Sequence, residues 1–523
     1  MSFMENLKET LGEEFNESVT ENGAVGYRTT CKELVDMNFM VSSMRGMSEE
    51  EITNKFAKAF YEDKLLAIKW LFFAGDVRGG LGERRLFRIC FSYLAGSHPK
   101  IAKALLRLIP EYTRWDNLIV LIDTPLIDDV IDIIRYQLRE DNTNMKYNQP
   151  ISLLAKWMPS INSSSKEKRR LALIIIKKLN FSKDSYRKML SALREYLKVV
   201  EIYIAKKEYS NIDYSTVPSR ANLIYNNAFL KNDTERRREY LESLQKGKTK
   251  INADVLYPHD IVYKYRDYYR IKNYDITLEE LWKALPDFVQ GDNRTICVAD
   301  GSGSMLSNTV PKTKISCLDV ANSLAIYFAE RCSGEFKNTY ITFSERPQLV
   351  NLTNGNSLKE KLEIASRYNE VANTNIEAVF DLILQTAVNK NMSQEELPNN
   401  ILILSDMEFD SCVTTTNITD SYCQGFNFFR RINTPNKKLF KTIADKYESY
   451  GYKLPRLVFW NIYSRTNTIP VKENGLGVML VSGFSPSIVK MVLSSELDPF
   501  NCLLEQLNCE RYDLVEEAVE GII

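Results

Sequence analysis

The sequence predicts a multidomain protein. An all-α stack of helical repeats is expected over residues 48–290 and a doubly wound α/β domain over 291–523, with residues 1–47 as an N-terminal segment. Three observations carry this reading. The chain has 523 residues, more than one hydrophobic core ordinarily holds. Its first half places apolar residues at helical spacing. Its second half alternates short β-branched and aromatic runs with helical stretches, the pattern of a mainly parallel sheet.

The helical half opens with "MSEEEITNKFAKAFYEDKLLAIKWLFFAGD", where Ser48 is an N-cap followed by acids in the first turn. "IAKALLRLIPEYTRW", "LIDDVIDIIRYQLRE", "EKRRLALIIIKKLN" and "SYRKMLSALREYLKVVEIYIAKK" repeat that character. The expected interruptions are "GDVRGGLGE", "DNTNMKYNQP", "NSSS" and "VPSRAN". Helices joined by short loops suggest antiparallel pairs of roughly 35–45 residues, the size of a solenoid repeat.

After a boundary near Pro286 to Asn293, the strand candidates are "TICVAD", "TYITFS", "NILILSD", "RLVFWNIY" and "GVMLVSG". Near-continuous apolarity suits strands covered on both faces. Between them, "KISCLDVANSLAIYFAERCSG" reads as a helix ended by Gly334. "TPNKKLFKTIADKYESYG" reads as one with Thr434 as N-cap, Pro435 at its first position and Gly451 beyond its end.

Composition narrows the function classes. Nine cysteines occur without a CxxC pair, against a zinc site or a disulfide framework. No apolar run reaches membrane-spanning length, and "MSFMENLKETLGEEFNE" lacks the build of a signal peptide. A cytoplasmic protein without a membrane partner is expected. The chain is neutral overall, but residues 151–250 hold 22 Lys and Arg against 10 Asp and Glu, whereas residues 291–523 hold 22 against 28. The basic segment is either a polyanion contact or a set of solvated helix faces.

The most informative stretch is "CVADGSGSML". Ligands of open α/β sheets bind at the carboxyl ends of strands, where the strand order reverses. Asp300 ends the first strand of this domain and Asp406 ends a later one, "ILILSD". Thr374 lies in a polar loop before the helix of "VANTNIEAVFDLIL", and Ser302 and Ser304 follow Asp300 at alternate positions. All five offer hard oxygen donors. That chemistry suits Mg2+, with Mn2+ or Ca2+ as substitutes. Glu408 and Asp410 read as solvated loop acids or as supports of the site.

The order Asp-x-Ser-x-Ser, then Thr, then Asp resembles the metal-ion-dependent adhesion site of von Willebrand factor A domains, which have a Rossmann-like fold. The resemblance implies that Ser302, Ser304 and Thr374 touch the cation directly or through water. It implies that Asp300 and Asp406 hold it likewise, leaving a position for an acidic group of a protein partner. A helical region followed by such a domain is the layout of the Ro/TROVE RNA-binding proteins, whose HEAT-like repeats bind small structured RNAs. "FAGDVRGGLGERRLF" and "YTRWDNLIVL" resemble their helical region. "TENGAVGY", "VPSRANLIYNNAF", "INADVLYPHDIV", "LPRLVFWNIY" and "GVMLVSGFSPSIVK" are similar to an uncharacterised Ro-like family of plants, phages and large viruses. This wider resemblance spans most of residues 20–495.

RNA contacts are expected from Arg78, Arg84 and Arg85 around the glycine-rich turn, and from Lys166, Lys168, Arg169, Arg170, Lys177 and Lys178. Such contacts are electrostatic and tolerant of sequence, so no DNA specificity is expected. The rival readings are an arginine-pinned turn, with Asp76 and Glu83 as partners, and a solvated helix. The tyrosines of "DIVYKYRDYYRIKNY" stack bases or pack helices. No nucleophile–base arrangement is visible: the two histidines, His98 and His259, adjoin prolines in loop-like stretches, and no GxSxG or HExxH occurs. The sequence therefore predicts a non-enzymatic Ro-like RNA-binding scaffold containing Mg2+. The alternative is a metal-dependent protein-interaction module without nucleic acid, and a metal-dependent nuclease is a weaker third.

Overall fold

A computed structural model describes residues 3–267, 270–289, 294–369, 373–411, 438–472, 475–492 and 496–523. The chain divides into two compact units. One comprises Met1–Gly46, Val289–Phe484 and Val489–Leu503; the other comprises Met47–Phe288, Ser485–Ile488 and Leu504–Ile523.

The first unit is built on a six-stranded mixed sheet. Its strands are β1 (Thr295–Asp300), β2 (Thr339–Phe343), β3 (Gln348–Asn351), β4 (Asn400–Ser405), β5 (Arg456–Asn461) and β6 (Val478–Ser482), in the spatial order β6-β5-β4-β1-β2-β3. All pairings are parallel except β2 with β3, which is antiparallel. Alternation along the strands divides their side chains between two faces. Val298, Ile341, Ile401, Ile403, Leu457 and Phe459 join Val379, Phe380, Phe440 and Ile443 of helices Glu377–Asn389 and Leu439–Ser449 in one core. Trp460 belongs to the opposite set and meets Phe328 of helix Cys317–Arg331, edge to face at 6.2 Å. That helix is capped by Ser316 and ends at Arg331, three residues before Gly334, which has φ +59°. Gly451 lies past helix Leu439–Ser449 with φ +81°. Thr434 and Pro435 lie outside the described residues. The N-terminal segment contributes Ala24, Val35 and Phe39 to the same core. Full burial of each large apolar side chain contributes roughly 1.5–3 kcal/mol.

The second unit is helical. Ser48 and Glu51 form a reciprocal capping box on helix Glu49–Glu62, and Ser165 and Ser182 cap helices Lys166–Leu179 and Lys183–Tyr196. Two expected interruptions differ. Helix Ile127–Lys146 continues through "DNTNMK", because Asn and Thr cost only tenths of a kcal/mol each in a helix whose other face is packed. "VPSRAN" begins a helix, Ser219–Asn232, with Pro218 at the N-cap. His259 likewise lies in the first turn of a helix, Pro258–Tyr265, and is buried there. Of the tyrosines around it, Tyr265 is buried and donates to Glu279 at 2.6 Å, a packing role, while residues 268 and 269 lie outside the described residues.

The glycine-rich turn is a backbone clasp. Leu81, Gly82 and Glu83 N–H donate to the carbonyls of Phe73, Asp76 and Ala74. A Cβ on Gly80 would lie 1.9 Å from the Phe73 oxygen, so only glycine fits. The fully buried Asp76 carboxylate accepts from Arg78 N–H at 2.9 Å, and its side-chain partners come from the C-terminal stretch. Arg511 Nε and Nη2 donate to it, the latter at 2.8 Å, and Tyr512 hydroxyl donates at 3.1 Å. We expect Gly80→Ala to cost roughly 2–3 kcal/mol by forcing the turn apart. Arg511→Ala should cost about 2 kcal/mol by leaving Asp76 under-paired. Arg78→Ala, at an exposed position with no ion pair among the described residues, should stay within about 0.5 kcal/mol. Urea denaturation of the three variants checks this ranking.

Candidate functional site

Chain order places β2 on one side of β1 and β4 on the other, so the strand order reverses at β1 and leaves a crevice at the carboxyl ends of β1 and β4. Asp300, the last residue of β1, and Asp406, the residue after β4, flank it. Both are fully buried, Ser302 and Thr374 nearly so, and Ser304 is half-buried.

Asp300 Oδ1 accepts from Ser302 N–H at 2.9 Å, and its Oδ2 accepts from Ser405 hydroxyl at 2.6 Å. Ser302 is the N-cap residue of the short helix Gly303–Ser307, and its hydroxyl lies 3.1 Å from that of Ser304. Ser304 also lies near enough to Asp406 to favour its charged form. Asp406 Oδ1 accepts from Glu408 N–H at 3.3 Å, and its Oδ2 accepts from Arg465 Nη1 at 2.9 Å. The structure thus gathers Asp300, Ser302, Ser304 and Asp406 into one cluster. Thr374 borders it: its carbonyl accepts from Asp410 N–H at 3.1 Å, and its Oγ1 accepts from Asn22 Nδ2 at 3.3 Å. Gly301 N–H donates to Phe343 O at 2.7 Å, holding the turn against the end of β2. Among the described residues, the non-glycine positions with left-handed φ include Met407 at +64°, directly after Asp406. Buried Met there is strained, and strain of this kind collects where a side chain must be aimed.

Desolvation, together with the nearby Asp406, pushes the Asp300 carboxyl up to about 7. Desolvation also raises Asp406, against the opposing pull of Arg465 and Ser304. Burial alone would lower Arg465, but Glu21 and Asp406 hold its guanidinium above the usual range. The crevice therefore holds two carboxylates and one fixed cation.

Glu408 is a correction to the reading of a solvated loop acid. It is fully buried and accepts from Glu21, Arg465 and Thr466 N–H and from the hydroxyls of Ser464 and Thr466, at 2.8–3.1 Å. It clamps the loop after β5 and the N-terminal segment together. Asp410 is half-buried, and desolvation raises its carboxyl. Sequence reasoning missed Arg465, Glu21, Asn22 and Ser405. Arg465 had a signal: "SRTN" follows "RLVFWNIY" at the same carboxyl edge of the sheet.

The residues expected to meet RNA are scattered in role. Arg84 lies 3.8 Å from Asp116, Arg85 donates to Met47 O at 3.0 Å, and Arg169 caps the carbonyls of Ser163 and Ser164. Arg170 pairs with Asp123 and Glu167, and Lys178 with Asp128. Of the turn's acids, Asp76 accepts from Arg78 N–H at 2.9 Å and pairs with the Arg511 guanidinium, while Arg84 and Arg88 lie on Asp116. Arg78, Lys166, Lys168 and Lys177 are exposed without an ion pair among the described residues.

Comparison with known proteins finds similarity to domains of unknown function. Residues 294–510 match the family model of a domain of unknown function, DUF7788. Residues 20–113 and 176–290 match that of a second, DUF2828. The chain is 29% identical over 532 aligned positions to the uncharacterised protein L728 of Acanthamoeba polyphaga mimivirus, covering 94% of this chain and 87% of that protein. These similarities fit an uncharacterised family with members in large viruses. Among the described residues no helix is long and apolar enough to cross a membrane.

A carboxyl raised by folding binds more protons folded than unfolded between its unfolded value, about 4, and its folded value, about 7. Stability therefore falls as pH rises through that window. In EDTA, the melting temperature of Asp300→Asn should fall less than wild type between pH 5 and pH 8, and Asp300→Asn should be the more stable at pH 8. Parallel slopes in differential scanning fluorimetry would remove Asp300 as the source.

Proposed function

We propose that the α/β unit is a von Willebrand factor A-like module that holds one divalent cation, Mg2+ in the first instance, and docks an acidic side chain of a partner protein on it. The supporting observation is the cluster of Asp300, Ser302, Ser304 and Asp406 at the strand reversal, with Thr374 on its border. The donor set fits the ion. It is all hard oxygen, and of the two buried carboxylates only Asp406 meets a guanidinium, that of Arg465, a deficit that a divalent cation fills. With only two carboxylates, hydroxyls and water complete the octahedron that Mg2+ prefers. When bound, the metal supplies a Lewis-acidic position for a carboxylate. The protein's own groups fix the donors: Ser405 orients Asp300, the Met407 turn aims Asp406, and Glu408 anchors the surrounding loops. We read this as binding, not catalysis, in a cytoplasmic protein.

A second reading rests on helix Lys166–Leu179, whose Lys166, Lys168 and Lys177 keep exposed ammonium groups unpaired among the described residues. On this reading the helical unit is a Ro-like, HEAT-like repeat scaffold that contacts RNA phosphates. The paired arginines around it make the docking reading the stronger one.

Titration calorimetry with Mn2+ should give one site on the wild type, weakened at least about tenfold in Asp300→Ala and Asp406→Ala. At a hundredfold excess over Kd, Mg2+ should add about 2.7 kcal/mol of stability, and EDTA should remove it. A wild type without divalent-ion binding sinks the reading. For RNA, the triple charge reversal Lys166→Glu, Lys168→Glu, Lys177→Glu should weaken capture of a single-stranded oligoribonucleotide at low salt about tenfold, while Asp300→Ala leaves it unchanged. Equal binding by both variants and wild type excludes this route.

A further inference from the structure

Arg465, in the loop after β5, carries three hydrogen bonds to two acids. Its Nη1 donates to Asp406 Oδ2 at 2.9 Å, and its Nε and Nη2 donate to Glu21 Oε2 at 2.8 and 2.5 Å. Glu21 lies in the turn between two short strands, Glu17–Val19 and Val25–Tyr27. One cation therefore joins an acid of the site to an acid delivered by another segment of the chain. A metal holding a guest carboxylate would make the same connection: site acid, cation, guest acid.

The turn that carries Glu21 is latched at several points. Glu21 N–H donates to Glu408 Oε2 at 2.8 Å, Thr20 hydroxyl to Phe409 O at 2.7 Å, and Ala24 N–H to Phe409 O at 3.3 Å. Asn22 Nδ2 reaches Thr374 Oγ1 at 3.3 Å and Glu408 O at 2.6 Å. The turn thus touches two of the five site residues, Thr374 directly and Asp406 through Arg465. Its seating is close: a Cβ on Gly26 would lie 2.4 Å from Ile469 O. The Glu21 side chain itself is 54% exposed, whereas Asp406 is fully buried. The guest acid can leave toward solvent while the site acid stays.

We infer that residues 20–24 and Arg465 are a built-in occupant of the metal site, Glu21 standing in for a partner's carboxylate and Arg465 for the divalent cation. Metal loading then expels the guanidinium from Asp406 and frees the turn. The inference rests on the metal-docking reading above and adds its regulation: a partner's acid competes with the protein's own. The driving force is electrostatic, since a guanidinium and a divalent cation on one buried carboxylate repel each other strongly.

The test uses the full chain and Mn2+ as probe. Calorimetry compares wild type, Arg465→Gln, Arg465→Lys and Asp300→Ala, each shown to be folded by its thermal melt. Hydrogen exchange follows residues 17–27. Arg465→Gln should bind Mn2+ about tenfold more tightly than wild type or better, and Arg465→Lys, which keeps the charge, should resemble wild type. In wild type, Mn2+ should speed exchange at the Glu21 and Ala24 amides. If Asp300→Ala loses Mn2+ while Arg465→Gln binds it no better than wild type, the metal reading survives and the built-in occupant is refuted. Unchanged exchange at the turn on Mn2+ saturation refutes the release step. Absence of Mn2+ binding in wild type and Arg465→Gln alike brings down both ideas.

Discussion

Two carboxylates share one buried crevice, and the architecture of the α/β unit around it answers to that fact. Asp300 and Asp406 are removed from water, and desolvation opposes the charge of each. The surrounding chain compensates with donors. Ser302 N–H and Ser405 hydroxyl serve Asp300, while Glu408 N–H and Arg465 serve Asp406. Each donor fixes a turn, and those turns define the carboxyl edge of the sheet. The left-handed Met407 follows from the same requirement, because Asp406 and Glu408 point to different partners, and a sharp backbone turn between them serves both.

The sheet makes such a crevice available. A strand order that runs away from β1 in both directions leaves the carboxyl ends of β1 and β4 uncovered by a direct connection. Here the N-terminal segment and the loop after β5 occupy the edge, joined through Glu408, which accepts from Glu21 on one side and from Ser464, Arg465 and Thr466 on the other.

Much of the fold was legible because it is written locally. The strands at 295–300, 400–405 and 456–461 announce themselves as apolar runs, and Ser48 announces its helix through its capping box. The placement of Asp300 and Asp406 followed from strand ends, and Ser302 and Ser304 from spacing. What stayed hidden depends on pairing between distant segments. Nothing near residue 21 says that it meets 408 and 465, and nothing near Asp76 says that Arg511 will pair with it. The basic segment is hard to read from sequence for another reason. A count of formal charge does not distinguish Lys166, which is exposed, from Arg169, whose guanidinium caps two carbonyls, or Arg170, which bridges two acids.

The energetic sign of the cluster bears on its purpose. Replacing buried ionic groups by apolar side chains of similar volume is commonly neutral or stabilising, by about 1–4 kcal/mol. Farther back along the same sheet that solution is used, with Val298, Ile403 and Phe459 filling the core without polar atoms. A crevice that instead gathers two acids, three hydroxyls and one arginine forgoes stability at that spot. Perturbed acids at a strand reversal are a candidate ligand site, although structural ion pairs also perturb such groups. Arg465 then makes sense as the group that limits the penalty of burying Asp406 without a ligand, while its second partner, Glu21, remains open to solvent and to exchange.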